Sequence, residues 1–586
     1  MFKLLKRLNK KDVLLIFISI FLIVIQVWLD LKLPDYMSKI TQLVQTEGSI
    51  LSDILIAGGK MMLCAFGSLI AAVIVGYFAS LIAASFSKTL RREIFEKVTD
   101  FSEGEIKKFS TSSLITRTTN DVTQIEMLVA MGLQLLIKSP ITAVWAVTKI
   151  LDKSWKWSAV VGGGVIILLM TLIFLMLVVM PKFKIVQKLL DKINGVTREN
   201  LTGIRVIRAF NAEDYQEEKF AKVNNKLTDT QIFNQRTFGI MQPVMYLIMN
   251  FSTLIIYFLG SYMINDALMV GKAVIYGDMV VFSSYGMQVI MSFLMLAIIF
   301  IMYPRAAISA DRINEVLDED FAIKDGNVTK SDAKLMGTVE FKDVSFKYPD
   351  ADEYILKDIT FKAEKGQTIA FIGSTGSGKS TLINLIPRFY DVTDGEILVD
   401  GVNVKDYKIE YLHEKIGYIP QKAVIFSGTV SENVAYGKSA KKITKEEIKK
   451  AIEVAQGKDF VEQMPDKYDA YLAQRGTNIS GGQKQRLSIA RAIARKPEIY
   501  IFDDSFSALD YKTDYTLRKE LKKYTKDATI FIVAQRIGTI MNADKIIVLD
   551  KGNPVGMGTH QELLKNCDVY KEIALSQLSE EELKNA

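Results

Sequence analysis

Histidine and cysteine are nearly absent from this chain of 586 residues, which holds two of each. His413, His560, Cys64 and Cys567 are scattered, with no CxxC pair, so neither a metal site nor a thiol redox centre organises the protein. Cys64 falls in an apolar run and Cys567 near the C-terminus, and both read as reduced thiols. A surplus of charge is also lacking: 73 basic and 66 acidic residues leave a formal net charge of +7. A nucleic-acid surface would show a dense basic patch tied to a known motif, and none is present. The opening MFKLLKRLNKK is basic, yet the apolar run behind it is too long for a cleavable signal and lacks a small-residue cleavage site. Lys3, Lys6, Arg7, Lys10 and Lys11 predict a cytoplasmic start.

What the chain has in quantity is hydrophobic residues, 49% against 24% charged, with a mean hydropathy of +0.18. That balance fits a membrane part joined to a soluble part. Six apolar stretches, roughly 13–33, 54–84, 129–150, 157–180, 238–264 and 273–303, are each long enough for a hydrocarbon core that needs about 20 helical residues. The connections 34–53, 151–156 and 265–272 are short and predicted to lie outside. The connections 85–128 and 181–237 are long and rich in lysine and arginine (KTLRREIFEK, PKFKIVQKLLDK), which predicts that they lie inside. They are expected to run as helices about 25 Å or more beyond the bilayer. Trp155 and Trp157 are expected at the outer interface. Lys138, in LLIKSPI, is placed near the inner end of the third span, snorkelling to the interface or lining a cavity. Met241, Met245 and Met249, like Met287, Met291 and Met295, recur every four residues along one helix stripe. Such a stripe is either a pliable surface for apolar ligands or ordinary packing. Gly162, Gly163 and Gly164 are expected to permit close helix contact.

After a charged, polar linker (318–337), strands and helices alternate as in an α/β domain. Gly373–Ser380, GSTGSGKS, matches the phosphate-binding loop GxxxxGK[ST] at every fixed position, between the strand QTIAFI and the helix STLINLIPRF. Backbone N–H groups from Gly373, Ser374, Thr375, Gly376, Ser377 and Gly378 would wrap phosphates at a helix start that extends through Thr381. Lys379 would reach the β and γ phosphates, and Ser380 would ligate Mg²⁺. EIYIFDD brings Asp503 to a strand end for the metal-associated role, with Asp504 beside it to orient water. Between them, Ser480, Gly481, Gly482 and Gln483 open a basic helix that offers a second phosphate seat.

The order GSTGSGKS, SGGQ, YIFDD resembles the ATP-binding cassette family. With six spans ahead, nearly the whole chain is similar to a half-transporter of the exporter type. The resemblance implies a multidomain membrane protein: a six-helix all-α transmembrane domain (1–317), the linker, and an α/β P-loop nucleotide-binding domain (338–586). It implies ATP and Mg²⁺ as cofactors, and it gives residue roles by position. Tyr348 would stack on adenine, and Gln421 would contact Mg²⁺. Ser480–Gln483 would complete the ATP site of an opposite subunit, and Ser507–Asp510 would link the two sites. Segments 110–121 and 203–214 would form coupling helices that touch the ATP-binding domains.

Three positions depart from the family. Asp504 stands where glutamate is usual, Gln535 where a histidine switch is usual, and Gln474 where a glutamate commonly precedes Arg-Gly. The shorter aspartate sets its carboxylate about 1 Å or more back, and a misplacement of that size costs on the order of 100-fold, or roughly 2.7 kcal/mol of barrier. Glutamine donates a hydrogen bond but carries neither proton nor charge. The expectation is tight ATP binding with poor hydrolysis at this chain's own site, while its intact SGGQ serves a partner half-transporter. The expected setting is the plasma membrane. The transported compound is expected to be an apolar drug, a lipid or a peptide, and nucleic acid is not an expected partner. A slow homodimeric exporter, import by an exporter-like fold, and an ATP-gated channel or regulator are the alternatives.

Overall fold

The computed structural model describes residues 1–46, 48–151, 155–266, 269–438 and 442–578. The connections expected at 151–156 and 265–272 lie partly outside these residues, as do residue 47 of the connection 34–53 and the final residues 579–586. The chain forms two compact units, 1–99 with 111–319, and 100–110 with 320–586.

The first unit is helical: α1 (Phe2–Leu5), α2 (Lys10–Gln45), α3 (Leu51–Thr99), then, after a helix belonging to the second unit (α4, Glu103–Phe109), α5 (Thr111–Thr116), a π-turn Arg117–Asp121, α6 (Val122–Leu151), α7 (Trp155–Ala209), α8 (Glu213–Gly239), α9 (Met241–Asn265) and α10 (Met269–Asp318). Among the described residues, six of its helical segments are long and apolar enough to cross a membrane. Helices suit that medium because they satisfy every backbone polar group internally. The long connections expected on the inner side are helical too, since α3 and α7 run on to Thr99 and Ala209.

Ile23, Val27 and Leu31 of α2 pack with Val75, Ala146, Phe282 and Tyr285 of α3, α6 and α10. Pro34 interrupts the α2 ladder. Nearby, Tyr285 Oη donates to the Leu31 carbonyl and to Asp35 Oδ1, both at 2.8 Å. Around the π-turn, Arg117 pairs with Glu315 at 2.8 Å and Asp121 pairs with Arg312 at 3.2 Å. These bonds tie the end of α10 to the start of the third span.

Several expectations change here. Lys138 does not snorkel: its Nζ lies 3.1 Å from Asp30 Oδ2, and Ser68 Oγ also donates to that carboxylate. Asp30 stands toward the end of the first apolar run farthest from the N-terminus, so the Lys138 side chain reaches along the bundle toward Asp30 instead of back to the near interface. A charge in an apolar layer is stabilised best by an opposite charge on a neighbouring helix. Trp157 is 2% exposed and packs against Phe282, whereas Trp155 is 75% exposed; only Trp155 has the surface position expected of both. Met245 and Met249 are buried beside Leu168, Ile248 and Ile290, which is ordinary packing, whereas Met287 and Met291 are exposed. Of the three glycines, Gly164 alone is closely approached, by Ser252 and Ile248 side chains that would lie 3.1 and 3.2 Å from an added Cβ; Gly162 and Gly163 face open space.

Among the described residues, the second unit holds twelve strands: β1 (Val339–Phe346), β2 (Leu356–Ala363), β3 (Thr368–Gly373), β4 (Asp394–Val399), β5 (Val402–Asn403), β6 (Ile416–Ile419), β7 (Gly428–Thr429), β8 (Tyr471–Leu472), β9 (Ile499–Asp503), β10 (Thr529–Val533), β11 (Lys545–Asp550) and β12 (Asn553–Gly558). A six-stranded sheet runs β12-β11-β3-β10-β9-β6, and a second sheet runs β2-β1-β4-β5. In the larger sheet β11, β3, β10, β9 and β6 are parallel, and only β12 is antiparallel. The parallel strands are near-continuous apolar runs because both faces are covered; every residue of β9 and β10 is buried. The carboxyl ends of adjacent parallel strands are where α/β folds gather ligand-binding loops. Here β3, β10 and β9 end side by side at Gly373, Val533 and Asp503.

Candidate functional site

Between β3 and the helix Lys379–Leu385, the chain needs backbone angles and clearances that only glycine supplies. Gly373 has φ 153°, and a Cβ there would lie 2.0 Å from the Leu549 carbonyl oxygen; Gly378, at φ 94°, would meet the Leu356 side chain at 2.8 Å. The loop therefore hugs β11 and opens its crest, Ser374, Thr375 and Gly376, to solvent. Ser377 is buried, and its N–H donates to the Ser374 carbonyl at 3.2 Å. Lys379 Nζ donates to the carbonyls of Gly373 and Ser374 at 2.8 and 2.7 Å and to Ser377 Oγ at 3.3 Å. Burial pushes its ammonium pKa down, against the pull of Asp504 and Asp503. This lysine is a partly desolvated positive charge inside a cradle of backbone, the chemistry that holds phosphate.

At the end of β9, Ser380 Oγ donates to Asp503 Oδ1 at 2.7 Å. Asp503 is 6% exposed and Asp504 8%. Burial raises both carboxyl pKa values above the ordinary one; Asp504 adds to the rise at Asp503, and the bond from Ser380 opposes it. Asp504 bends the chain sharply at φ 46°, and its N–H donates to the Val533 carbonyl at 3.0 Å. Aspartate tolerates this left-handed region better than most residues. Two amides close on one oxygen of its side chain: Gln535 Nε2 donates to Asp504 Oδ2 at 2.8 Å and Gln421 Nε2 at 3.1 Å. Gln535 is itself anchored through its backbone carbonyl, which accepts from Gln577 Nε2 at 2.8 Å. The loop after Asp504 is braced by Ser507 Oγ, which donates to the Asp504 carbonyl at 2.8 Å.

Ser480 caps the helix Gly481–Arg495 in a reciprocal box, with its N–H on Gln483 Oε1 at 2.9 Å and the Gln483 N–H on Ser480 Oγ at 3.3 Å. Gly481 is exposed, with nothing within 4 Å of an added Cβ, so the amino end of this 15-residue helix is open to an approaching group. Just before it, Gln474 opens a 3₁₀ turn through Gly476, in which Arg475 is left-handed at φ 59°.

Tyr348 meets Thr381, hydroxyl to hydroxyl, at 3.0 Å. Its ring packs edge-on against Phe346 and Tyr390. Residue-by-residue reading missed three neighbours of this tyrosine. Lys107 Nζ lies 5.0 Å from the centre of the Tyr348 ring and donates to Tyr390 Oη at 2.8 Å, while Tyr390 Oη donates to Glu103 Oε2 at 2.9 Å. Lys107 and Glu103 belong to α4, in the stretch that joins the second unit. The signal was there as a capping box, Ser102 with Glu105, at the α4 start; Glu105 also accepts from the Ala322 N–H. The segment 110–121, expected to couple the domains, begins where the chain leaves this unit. In the other such segment, 203–214, Phe210 is 78% exposed.

The glycine cradle, the lysine within it and the hydroxyl–carboxylate pair form a donor set that fits a nucleotide triphosphate with its divalent cation. Comparisons with known proteins agree with that geometry. Residues 356–507 match the family described as ABC transporter, and residues 16–294 match the ABC transporter transmembrane region. An uncharacterized ABC transporter ATP-binding protein of Mycobacterium tuberculosis is 39% identical over 523 residues, covering 89% of this chain and 87% of that protein. A putative multidrug export ATP-binding/permease protein of Bacillus subtilis is 32% identical, covering 85% of this chain and 84% of its own length. An ATP-dependent lipid A-core flippase of Pseudomonas aeruginosa is 31% identical, covering 86% and 82%. The fold resembles that of a bacterial Atm1-family ABC exporter with ATP bound, at TM-score 0.81 and 23% identity, over 97% of this chain and all of that one. With six membrane-length helices joined to an ATP-binding α/β unit, the chain belongs to the ABC transporter family and is an ATPase-coupled membrane transporter.

Proposed function

We propose that this chain is one half of a heterodimeric exporter and that its own ATP site holds nucleotide more than it hydrolyses it. The observation that carries this reading is the double amide clamp on Asp504, from Gln535 at 2.8 Å and Gln421 at 3.1 Å. A general base must be free to face its water. Asp504 is short, buried and bonded to two groups that cannot take a proton. Gln535 fills the place of a residue that elsewhere carries one.

Phosphates would be held by Gly373–Gly378, Lys379, Ser380 and Thr381, with Tyr348 against the adenine. Ser380, Gln421 and Asp503 would hold Mg²⁺, which when bound neutralises charge between the β and γ phosphates. Gln421 gives its amide nitrogen to Asp504, which leaves its carbonyl oxygen as the half suited to a cation. Ser480–Gln483 present an open helix start, suited to a phosphate brought by a second subunit. That subunit would supply the competent site. Exposed Phe210, in the 203–214 turn, would belong to a coupling segment that touches an ATP-binding domain.

The N-terminus and the ATP-binding unit are assigned to the cytoplasmic side of the plasma membrane, with lysine and arginine concentrated on the connections of that side. The relatives' names include a lipid flippase and a multidrug exporter, and the transported class assigned here is correspondingly apolar: a drug, a lipid or a peptide. The test is turnover of the chain purified alone. The expected result is ATP binding with hydrolysis far below the ~10 s⁻¹ typical of enzymes, and a rise when a similar chain carrying glutamate and histidine at these two positions is added. Full turnover by the chain alone would overturn heterodimerisation.

A further inference from the structure

We propose that a cleft at the N-terminal end of the membrane unit binds one acyl chain of an anionic phospholipid, with Lys6, Lys10 and Lys11 meeting its headgroup. The cleft holds about 300 Å³ and is walled by Leu5 and Leu8 from the N-terminal segment, Ile82 of α3, Leu133 and Leu136 of α6, and Tyr303 of α10. Its lining is chiefly Leu, Ile and Val, with Met1, Gly132 and Tyr303 beside them. Ile82, Leu133 and Leu136 belong to apolar runs of membrane-crossing helices, so the cleft opens within the hydrocarbon layer, at the depth where the chain enters it. Interiors pack densely, and an apolar cleft of this size beside lipid tails is a seat for a tail.

Hydrophobicity alone would not hold a particular lipid there, because the surrounding tails are as apolar as the wall. Selectivity must come from the rim. Five basic residues stand among the first eleven positions, the same segment that gives Leu5 and Leu8 to the cleft. Two are committed within the protein, Lys3 to Asp318 and Arg7 to Glu93. Lys6, Lys10 and Lys11 are exposed, and among the described residues none pairs with them. Each lies within three residues of Leu5 or Leu8, which line the cleft, so the chain that walls the slot also carries the charge. A basic cluster at the headgroup layer above an apolar slot is complementary to an anionic headgroup on a tail. Each lysine contributes roughly fivefold in affinity, so three together give on the order of 100-fold preference over a zwitterionic lipid.

The test places a reporter in the cleft. Leu136 is 46% exposed, so Leu136→Trp is expected to fold, with the unsubstituted protein serving as the blank for its four native tryptophans. The full chain is reconstituted in phosphatidylcholine vesicles with graded brominated phosphatidylglycerol or, separately, graded brominated phosphatidylcholine. The expected result is quenching of the new tryptophan at about 100-fold lower mole fraction of brominated phosphatidylglycerol. Changing Lys6, Lys10 and Lys11 to Gln on that background should bring the two lipids to within a few-fold. Native mass spectrometry of the chain without the tryptophan should show phosphatidylglycerol retained through delipidation and lost in the triple variant. Equal quenching by both lipids, a preference that survives the triple substitution, or no retained phosphatidylglycerol would each overturn the proposal.

Discussion

On the phosphate-loop side of the ATP site, Asp503 accepts a hydroxyl from Ser380 at 2.7 Å; on the switch side, Asp504 accepts two amides on one oxygen, from Gln535 and Gln421. The two carboxylates are adjacent, both buried and both raised in pKa. They differ in what their partners can do. A hydroxyl and a carboxylate are hard oxygen donors and together suit a divalent cation. Two amide N–H groups fix a carboxylate without sharing its proton. The comparison teaches how the proposed separation of binding from hydrolysis would be built in one site: the residues proposed to grip phosphate keep the expected pattern, and those proposed to activate water depart from it.

The largest predicted effect breaks the gripping side. Lys379→Ala removes the cation from the loop and should weaken ATP binding about 100-fold, the equivalent of roughly 3 kcal/mol for an unpaired buried charge contact. Titration with a fluorescent ATP analogue checks it, and a loss below tenfold would mean the backbone alone holds the phosphates. The next effect repairs the switch side. Gln535→His or Asp504→Glu alone should leave this site's hydrolysis within a few-fold of the starting rate. The pair together should raise it by about 10- to 100-fold, because the two side chains are in direct contact and their effects are coupled. Single-site turnover, with the partner's site disabled, reads this out.

A smaller effect reads the burial of Asp503 through pH. The Asp503 carboxyl pKa is raised chiefly by burial. The stability that goes with its protonated form is complete below the unfolded value, near 4, and is lost as pH rises through the raised folded value. Nucleotide-free protein should therefore lose melting temperature across that window. Asp503→Asn should remove part of the slope and melt higher than the parent at pH 7, by roughly 2–4 °C for each kcal/mol relieved. Scanning calorimetry between pH 4 and 7 decides it, and identical slopes would show that burial of this group costs nothing.

The two sides also differed in how much of them was legible beforehand. GSTGSGKS identified its loop because glycine at 373 and 378 is demanded by backbone angles and by clearance from Leu549 and Leu356, a local requirement written in local residues. Asp504 and Gln535 stood out as departures, but their mutual bond and the anchoring of Gln535 by Gln577 join positions far apart in sequence and brought together only by the sheet order. The same limit applied in the membrane unit. The apolar runs mark six helices, yet LLIKSPI leaves Lys138 either snorkelling or lining a cavity, because its partner Asp30 lies more than a hundred residues away. Trp157 was placed in the headgroup layer because nothing local indicated that Phe282 would cover it.

The smallest predicted effect lies where a sequence-distant helix touches the adenine side. Lys107 sits 5.0 Å from the Tyr348 ring centre and 5.3 Å from that of Tyr390, and its bond to Tyr390 Oη continues to Glu103. A cation beside an aromatic ring draws on the same π density that a stacked base uses, and in a half-exposed setting it contributes about 0.5–1 kcal/mol. Lys107→Gln keeps the hydrogen bond to Tyr390 but removes the charge. It should change ATP affinity by only about two- to fivefold, with no change in the metal dependence set by Ser380 and Asp503. Lys107→Met removes both and should have the larger effect of the two. If neither moves ATP affinity while Lys379→Ala still does, α4 braces Tyr390 without acting on the nucleotide, and the site's binding half reduces to the phosphate loop and Tyr348.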